Sequence, residues 1–500
     1  MFPIQFFFRA AERYPDRVAV KSSEETITYR QLVHRVAASA AGIHAADPTY
    51  QARIAVGGAN SVHHLVAILA TLAAGNIWVP LNPRNGTPEL LRMVEFTSPS
   101  LLLVDRDLAL RLKDCGQKMV SLERGLEGWS RQFMDERVPV PTGALSDVQA
   151  IKFTGGTTGV PKGVMQTYRA WSTTIVTQWR EFGFDENDRF LISAPLTHGA
   201  STYLLPILGA GGMLVFPDEL KPAAILEAVQ KHGITTVFMP PTLIYAVVHE
   251  MELNPRDTQS LKRLIYGAAP MPSQKVREVQ RVLGNVLATT YGQTEAPQII
   301  ACLGSQELAD PRNIASVGRP TLMTDVRIMG KEGEMLPPGE EGEVVVRGDL
   351  VMAGYWRMPE ETASTIRDGW LHTGDIGLFD ERGFLFLKDR ARDVIISGGF
   401  NVYPSDVEAV LGRHPAIFDC AVFGVEDEKW GEAVHAAVTL RPGMHVEKDD
   451  LIELVKAELG SVKAPKEVHV LEALPRSSVE KTLKSELRKS VLNARSTASS

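Results

Sequence analysis

Two runs of alternating strand and helix signals, on either side of a loop rich in glycine and threonine, restrict this chain to few folds. In the first run, residues 53–56 read as strand, 61–74 as helix, 77–81 as strand, 89–97 as helix and 101–104 as strand. In the second, strands at 190–194, 213–216, 235–239, 261–266 and 286–290 are interleaved with helices at 223–232, 243–251 and 274–283. Such alternation with short connections is the pattern of parallel α/β units. Two such halves around one loop imply a crevice between sheets, where ligands usually sit. The loop is Thr154-Gly155-Gly156-Thr157-Thr158-Gly159-Val160-Pro161-Lys162-Gly163, after the lead-in Ala150, Ile151, Lys152, Phe153. Its glycines leave backbone N–H groups unshielded, its threonines add hydroxyls and Lys162 adds a charge, which together suit a polyphosphate. A flexible surface loop is the plainer alternative. A Walker A loop is excluded, because that motif needs Gly before its Lys and Ser or Thr after it, and Pro161 and Gly163 stand there.

Beyond about residue 320 the texture changes to short β segments at 326–329, 343–347 and 384–387, cut by turns such as Pro337-Pro338-Gly339. This reads as a small β-barrel or sheet. A compact α+β unit follows, with helices at 405–412 and 448–459 and strands at 421–424 and 434–440, and residues 494–500 read as frayed. The expected architecture is a large N-terminal domain, 1–390, of two α/β subdomains plus the small β-barrel. An α+β C-terminal domain, 391–500, completes it.

The 500 residues suffice for several domains. A net charge of −7 disfavours a nucleic-acid partner. Cys115, Cys302 and Cys420 are scattered, which suggests neither a disulfide framework nor a zinc site and fits a reducing cytoplasm. Phe6-Phe7-Phe8 is followed at once by Arg9, and the longest apolar run, Leu65 to Ala74, is too short for an integral membrane segment.

Five later segments sharpen the reading. They are Ala194-Pro195-Leu196-Thr197-His198-Gly199, Tyr291-Gly292-Gln293-Thr294-Glu295, Trp370-Leu371-His372-Thr373-Gly374-Asp375, Asp389-Arg390-Ala391-Arg392-Asp393 and Pro475-Arg476-Ser477-Ser478-Val479-Glu480-Lys481. With the glycine loop, in this order, they resemble the motif series of the adenylate-forming superfamily of acyl-CoA synthetases, amino-acid adenylation domains and beetle luciferases. The resemblance runs from about residue 10 to 490.

The resemblance implies activation of a carboxylic acid by ATP to acyl-AMP, then transfer to coenzyme A. Joining two anions calls for electrostatic stabilisation and positioning rather than a protein nucleophile. By the resemblance, Thr154, Gly155, Gly156, Thr157, Thr158, Gly159 and Lys162 hold the phosphates, assisted by Thr294. Glu295 is the ligand of Mg²⁺, a role that suits a carboxylate. Gly267, Ala268, Ala269 and Tyr291 frame adenine; Asp375 and Arg390 bind ribose. Lys481 is the catalytic lysine, although beside Lys484, Arg488 and Lys489 it also reads as one charge of a basic tail. His198 stands at the acyl-pocket wall, with a core histidine as the alternative. Tyr203, Phe238, Thr290 and Gly292 line that pocket, Gly398 and Gly399 form the turn beside CoA, and Arg392 is the hinge about which a mobile C-terminal domain turns.

Some positions depart from the pattern. Gly155 replaces a common serine, Glu480 replaces the glycine before the lysine, Arg392 replaces Asp or Lys at the hinge, and Lys484 stands for an arginine. No carboxylate near 197–198 awaits an amino group, which disfavours an amino-acid substrate. No arginine in the pocket set pairs a second carboxylate. A fatty acid is the first expectation for the substrate and an aryl acid the second, with charging of a carrier protein as a further alternative. Lys481 and Glu295 are both present, against a non-catalytic relative. Partners reduce to the acid, ATP and CoA, and a homodimer is admitted.

Overall fold

The computed structural model describes residues 1–137, 142–154, 162–267, 269–477 and 482–498, with side chains described to residue 492. Gly155, Gly156, Thr157, Thr158, Gly159, Ala268 and Lys481 therefore lie outside the described residues. The first alternating run forms a seven-stranded sheet in the order Gly354–Tyr355, Lys162–Thr167, Val148–Thr154, Ile77–Leu81, Arg53–Gly57, Leu101–Val104, Met119–Ser121. Its interior strands are parallel and buried on both faces, which is why Leu101–Val104 is apolar at every position. The edge is different. Val148–Thr154 and Lys162–Thr167 pair antiparallel, with Thr154 opposite Lys162, so the loop joins two strands of a hairpin. A Walker A loop would instead feed a helix.

The second run forms a nine-stranded sheet, Arg319–Pro320, Ala301–Leu303, Leu287–Tyr291, Arg263–Tyr266, Thr236–Met239, Arg189–Leu191, Met213–Val215, Val18–Lys21, Thr26–Thr28. Val18–Lys21 precedes the first run in sequence yet belongs to this sheet, with Val20 beside Leu214. The helix Tyr29–Ala46 secures it. Thr28 accepts the Gln31 N–H at its N-terminus, and Tyr29 Oη donates to the carbonyls of Leu208 and Gly212 at 2.9 and 2.7 Å. One apolar core joins the two sheets, containing Ile54 and Trp78 from one and Phe190, Tyr203 and Phe238 from the second half.

Five antiparallel strands follow: Thr324–Met329, Gly342–Gly348 and Trp370–Phe379, with Ile366–Arg367 and Leu385–Arg390 both paired to Trp370–Phe379. The C-terminal unit has a five-stranded sheet built on Ile417–Asp427 and Gly431–Leu440. Helices Pro404–Leu411 and Lys448–Leu459 contribute to one apolar cluster, and Leu487 and Val491 of Lys484–Ala498 to another. That last helix reaches into the stretch expected to fray. No helix among the described residues is long and apolar enough to cross a membrane.

Candidate active site

Asp375 lies on a long strand whose alternate residues turn inward, and it is buried. Its cross-strand partner is Arg390, with Nε 3.2 Å from Oδ1. Tyr291 Oη and Gln293 Nε2 both donate to Oδ2, at 2.6 and 2.8 Å. Burial, reinforced by the Asp375 charge, pushes the Tyr291 hydroxyl well above its usual range, so it stays a donor. The expected ribose pair and the expected adenine-framing tyrosine are thereby brought together. Gln293 had no role assigned from sequence, yet it also donates to the Thr373 carbonyl at 2.9 Å and ties the segment to the strand. A carboxylate offers about four acceptor positions. Three are taken, so an incoming hydroxyl shares Oδ1 with Arg390.

At the foot of the loop, Lys162 pairs with Glu361 and lies over the Tyr355 ring, its Nζ 5.2 Å from the centroid. Tyr355 Oη donates to Glu295 Oε1 at 2.8 Å, and its hydroxyl is pushed upward by burial and by the Glu295 charge. Tyr355 thus connects the two charged groups that the resemblance assigns to phosphate and to metal. Neither Tyr355 nor Glu361 was found from sequence, since 60 residues separate Tyr355 from Glu295 and nothing local marks them. Thr294 is held from behind, its carbonyl accepting from Gln166 Nε2 at 2.7 Å. Glu295 suits Mg²⁺ in donor type, as a half-buried carboxylate with, among the described residues, a single neutral donor on one oxygen. Elsewhere among the described residues, His435, Glu467 and His469 form a cluster of three metal-type ligands. His435 Nδ1 and His469 Nε2 are 3.0 Å apart in nearly parallel rings, the geometry of a hydrogen bond between imidazoles.

The expected acyl-pocket residues converge. Rings of Phe190, Tyr203 and Phe238 follow one another with centroids 5.2 and 5.3 Å apart. A Cβ on Gly199 would meet the Phe238 ring at 2.5 Å, one on Gly267 the Thr290 carbonyl at 3.0 Å, and one on Gly292 the Gln298 backbone at 2.5 Å. Gln298, unassigned from sequence, is a non-glycine residue at φ 72°. Its amide donates to Tyr203 Oη at 2.7 Å and Thr290 Oγ1 at 3.1 Å, and it accepts from Thr202 Oγ1 at 3.1 Å. His198 is half-buried, Nδ1 3.1 Å from Thr197 Oγ1, and its pKa is pushed down to about 4 by burial and then by Lys152. It is neutral at physiological pH. Ala269 is half-buried in a bend after strand Arg263–Tyr266.

Gly398 and Gly399 form the two-residue turn of a hairpin in which Ser397 faces Phe400. Both have positive φ, 58° and 84°, as a primed turn requires. Gly398 N–H donates to the Trp430 carbonyl at 2.8 Å. Arg392 sits half-exposed in the short 3₁₀ turn Ala391–Asp393. Contacts cross this turn: Ser405 N–H donates to Asp389 Oδ2 at 3.0 Å, and Ser405 Oγ donates to the Lys388 carbonyl. Lys484 pairs with Glu408 at 2.9 Å. Asp389 is pushed upward by burial, against the Lys484 charge.

Comparison with known proteins adds three kinds of likeness. Residues 7–356 match the family model described as AMP-binding enzyme, and residues 406–481 match the AMP-binding enzyme C-terminal domain. A feruloyl-CoA synthase of Amycolatopsis is 37% identical over 96% of this chain and 97% of its own length. A medium/long-chain fatty-acid–CoA ligase of Mycobacterium tuberculosis is 38% identical over 68% of this chain and 61% of its own length. Among solved structures, an amide bond synthetase of Marinactinospora thermotolerans superposes with a TM-score of 0.89 at 30% identity, covering 98% of this chain and 99% of its own.

Proposed function

The chain belongs to the AMP-binding enzymes, and from that premise we propose that it converts a planar aromatic carboxylic acid to its CoA thioester. It is an ATP-dependent acid–CoA ligase of the AMP-forming kind. In our reading the acid's carboxylate attacks the α-phosphorus of ATP and pyrophosphate leaves. The CoA thiol then attacks the acyl carbonyl, its proton passes to solvent, and AMP departs with the bonding electrons. Asp375 and Arg390 hold the ribose hydroxyls, Lys162 meets the phosphates, and Lys481 bridges the carboxylate and phosphate oxygens during adenylation. Glu295 would hold Mg²⁺, which would supply charge neutralisation at the phosphates.

The observation that carries the aromatic reading is the Gln298 network. Its three hydrogen bonds cross-brace helix Ser201–Ala210, strand Leu287–Tyr291 and the following loop. Polar groups paired this way resist displacement, because an apolar chain pushed between them would leave buried donors unsatisfied. Above this brace, Gly199 and Gly267 present backbone to the Phe238 ring. A pocket wall of fixed rings and braced polar groups suits a flat ring better than a long flexible chain. The feruloyl-CoA relative supports the reading over nearly the whole chain; the fatty-acid relative supports the alternative over a shorter stretch. A pyrophosphate-release panel tests it. Hydroxycinnamic or benzoic acids are expected to exceed C8–C16 fatty acids by at least about tenfold in kcat/KM, a span that pocket fit alone can supply. The reverse order would overturn the aromatic reading. Gln298→Leu is expected to narrow the gap. CoA consumption, measured beside amide formation from an added amine, tests the acceptor.

A further inference from the structure

Lys152 is the residue the functional reading leaves unexplained. It lies in strand Val148–Thr154, two residues before the glycine loop, and is 6% exposed. Its Nζ sits 4.8 Å from the centroid of Trp78 and 4.9 Å from that of Trp171, both buried. Its one hydrogen bond among the described residues goes to Ser201 Oγ, at 2.8 Å, and no carboxylate there pairs with it. A lysine in a core of this kind is disfavoured unless its amine is used, since a methionine would fill the volume without desolvating an ammonium.

Its neighbours lead to the site on two sides. Ser201 Oγ donates to the His198 carbonyl at 2.5 Å, closing the loop that carries His198. Trp171 Nε1 donates to Gln166 Oε1 at 3.0 Å, and Gln166 in turn donates to the Thr294 carbonyl. One amine therefore underlies both the segment at the acid and the segment beside Glu295. We propose that Lys152 is a positioning residue for acid activation, fixing the His198 loop through Ser201 and placing a positive field behind the acid's carboxylate. This rests on the reading that His198 faces the acid.

The charge state is finely balanced. Burial lowers the Lys152 pKa to about 7, while the two indole faces favour the ammonium. His198 is the titratable group that feels this charge, and it is held neutral partly by it. The ammonium exists below its folded pKa and is lost above it. Attraction for the acid's carboxylate accordingly weakens as pH rises through the neutral range.

Lys152→Met tests the proposal, with the wild-type enzyme as reference for the function itself. If no panel acid yields acyl-AMP with the wild type, the functional reading fails and not this inference. With an active wild type, Lys152→Met is expected to raise the KM for the acid at least tenfold and leave the KM for ATP within about threefold. It should also abolish a decline of kcat/KM for the acid across neutral pH. Tryptophan fluorescence supplies a readout independent of turnover: a neutral-pH titration in the wild type, absent in Lys152→Met. Ser201→Ala removes only the hydrogen bond and should raise the KM for the acid less while retaining the fluorescence titration. An unchanged KM for the acid in both variants, or a fluorescence titration that persists in Lys152→Met, would overturn the proposal.

Discussion

Asp375 is the residue on which the described part of the site converges, with donors arriving from Tyr291, Gln293 and Arg390. Replacing it with asparagine keeps the volume but removes the charge, and one amide hydrogen then faces donors. A hydrogen bond to a charged group contributes about 1.5–3 kcal/mol. Asp375→Asn is expected to raise the KM for ATP by about tenfold to a hundredfold in a pyrophosphate-release assay, with the KM for the acid little changed. An unaltered KM for ATP would remove Asp375 from the ribose site. The pairing of Asp375 with Arg390 was expected from the motifs that contain them. Gln293, Tyr355, Glu361 and Gln298 were not assigned, for a common reason. Each acts through a partner brought near by the fold, as Tyr355 meets Glu295 across 60 residues and Tyr203 meets Gln298 across 95. Lys152 was hidden differently, by standing in an apolar strand where its spacing resembles that of a core residue.

Elements with a strong period were legible. The strands at Ile77–Leu81 and Leu101–Val104 and the helix Lys448–Leu459 coincide with their sequence assignments, because apolar runs and polar flanks bound them tightly. Sheet membership was not legible for Val18–Lys21, since its partner Met213–Val215 lies almost two hundred residues on and no local signal selects it. The glycine hairpin Ser397–Phe400 shows how an element can carry two separable properties. A methyl on Gly398 would lie 3.2 Å from the Trp430 ring, whereas one on Gly399 would meet nothing within 4 Å. Both need positive φ, which costs an L-residue about 1–2 kcal/mol. Gly398→Ala is therefore expected to destabilise the C-terminal unit more than Gly399→Ala in urea unfolding, by the added displacement of the ring. If CoA passes the open side of the turn, Gly399→Ala should slow thioester formation from supplied acyl-AMP and spare pyrophosphate release. Equal stability losses would mean that Trp430 yields freely.

At the scale of the whole molecule, the apolar clusters of the C-terminal unit contain only residues from Ile395 onward, and the large unit's clusters end at Leu387. The chain between them, residues 388–394, contains the short turn Ala391–Asp393. We propose that this turn is a pivot and that the segment bearing Lys481 and the turn Gly398–Gly399 serve different steps, each presented in its own pose. Large φ/ψ changes confined to a few residues are how hinges move. Ser405 holding Asp389 and the Lys388 carbonyl favours the pose seen here, and those bonds must part for rotation. Proline at 392 would fix φ near −65° and push Ala391 away from helical backbone angles, so the turn would lose its freedom to switch. Arg392→Pro is expected to slow thioester formation from supplied acyl-AMP at least tenfold more than it slows pyrophosphate release. With the turn frozen in the adenylating pose, the thioester step suffers more, because on this proposal it requires the domain to leave that pose. Arg392→Ala, which leaves the backbone free, should keep the ratio of the two rates near that of the wild type. Equal losses in both assays for the proline variant would indicate general damage to the fold, and no loss in either would place the pivot outside residues 391–393.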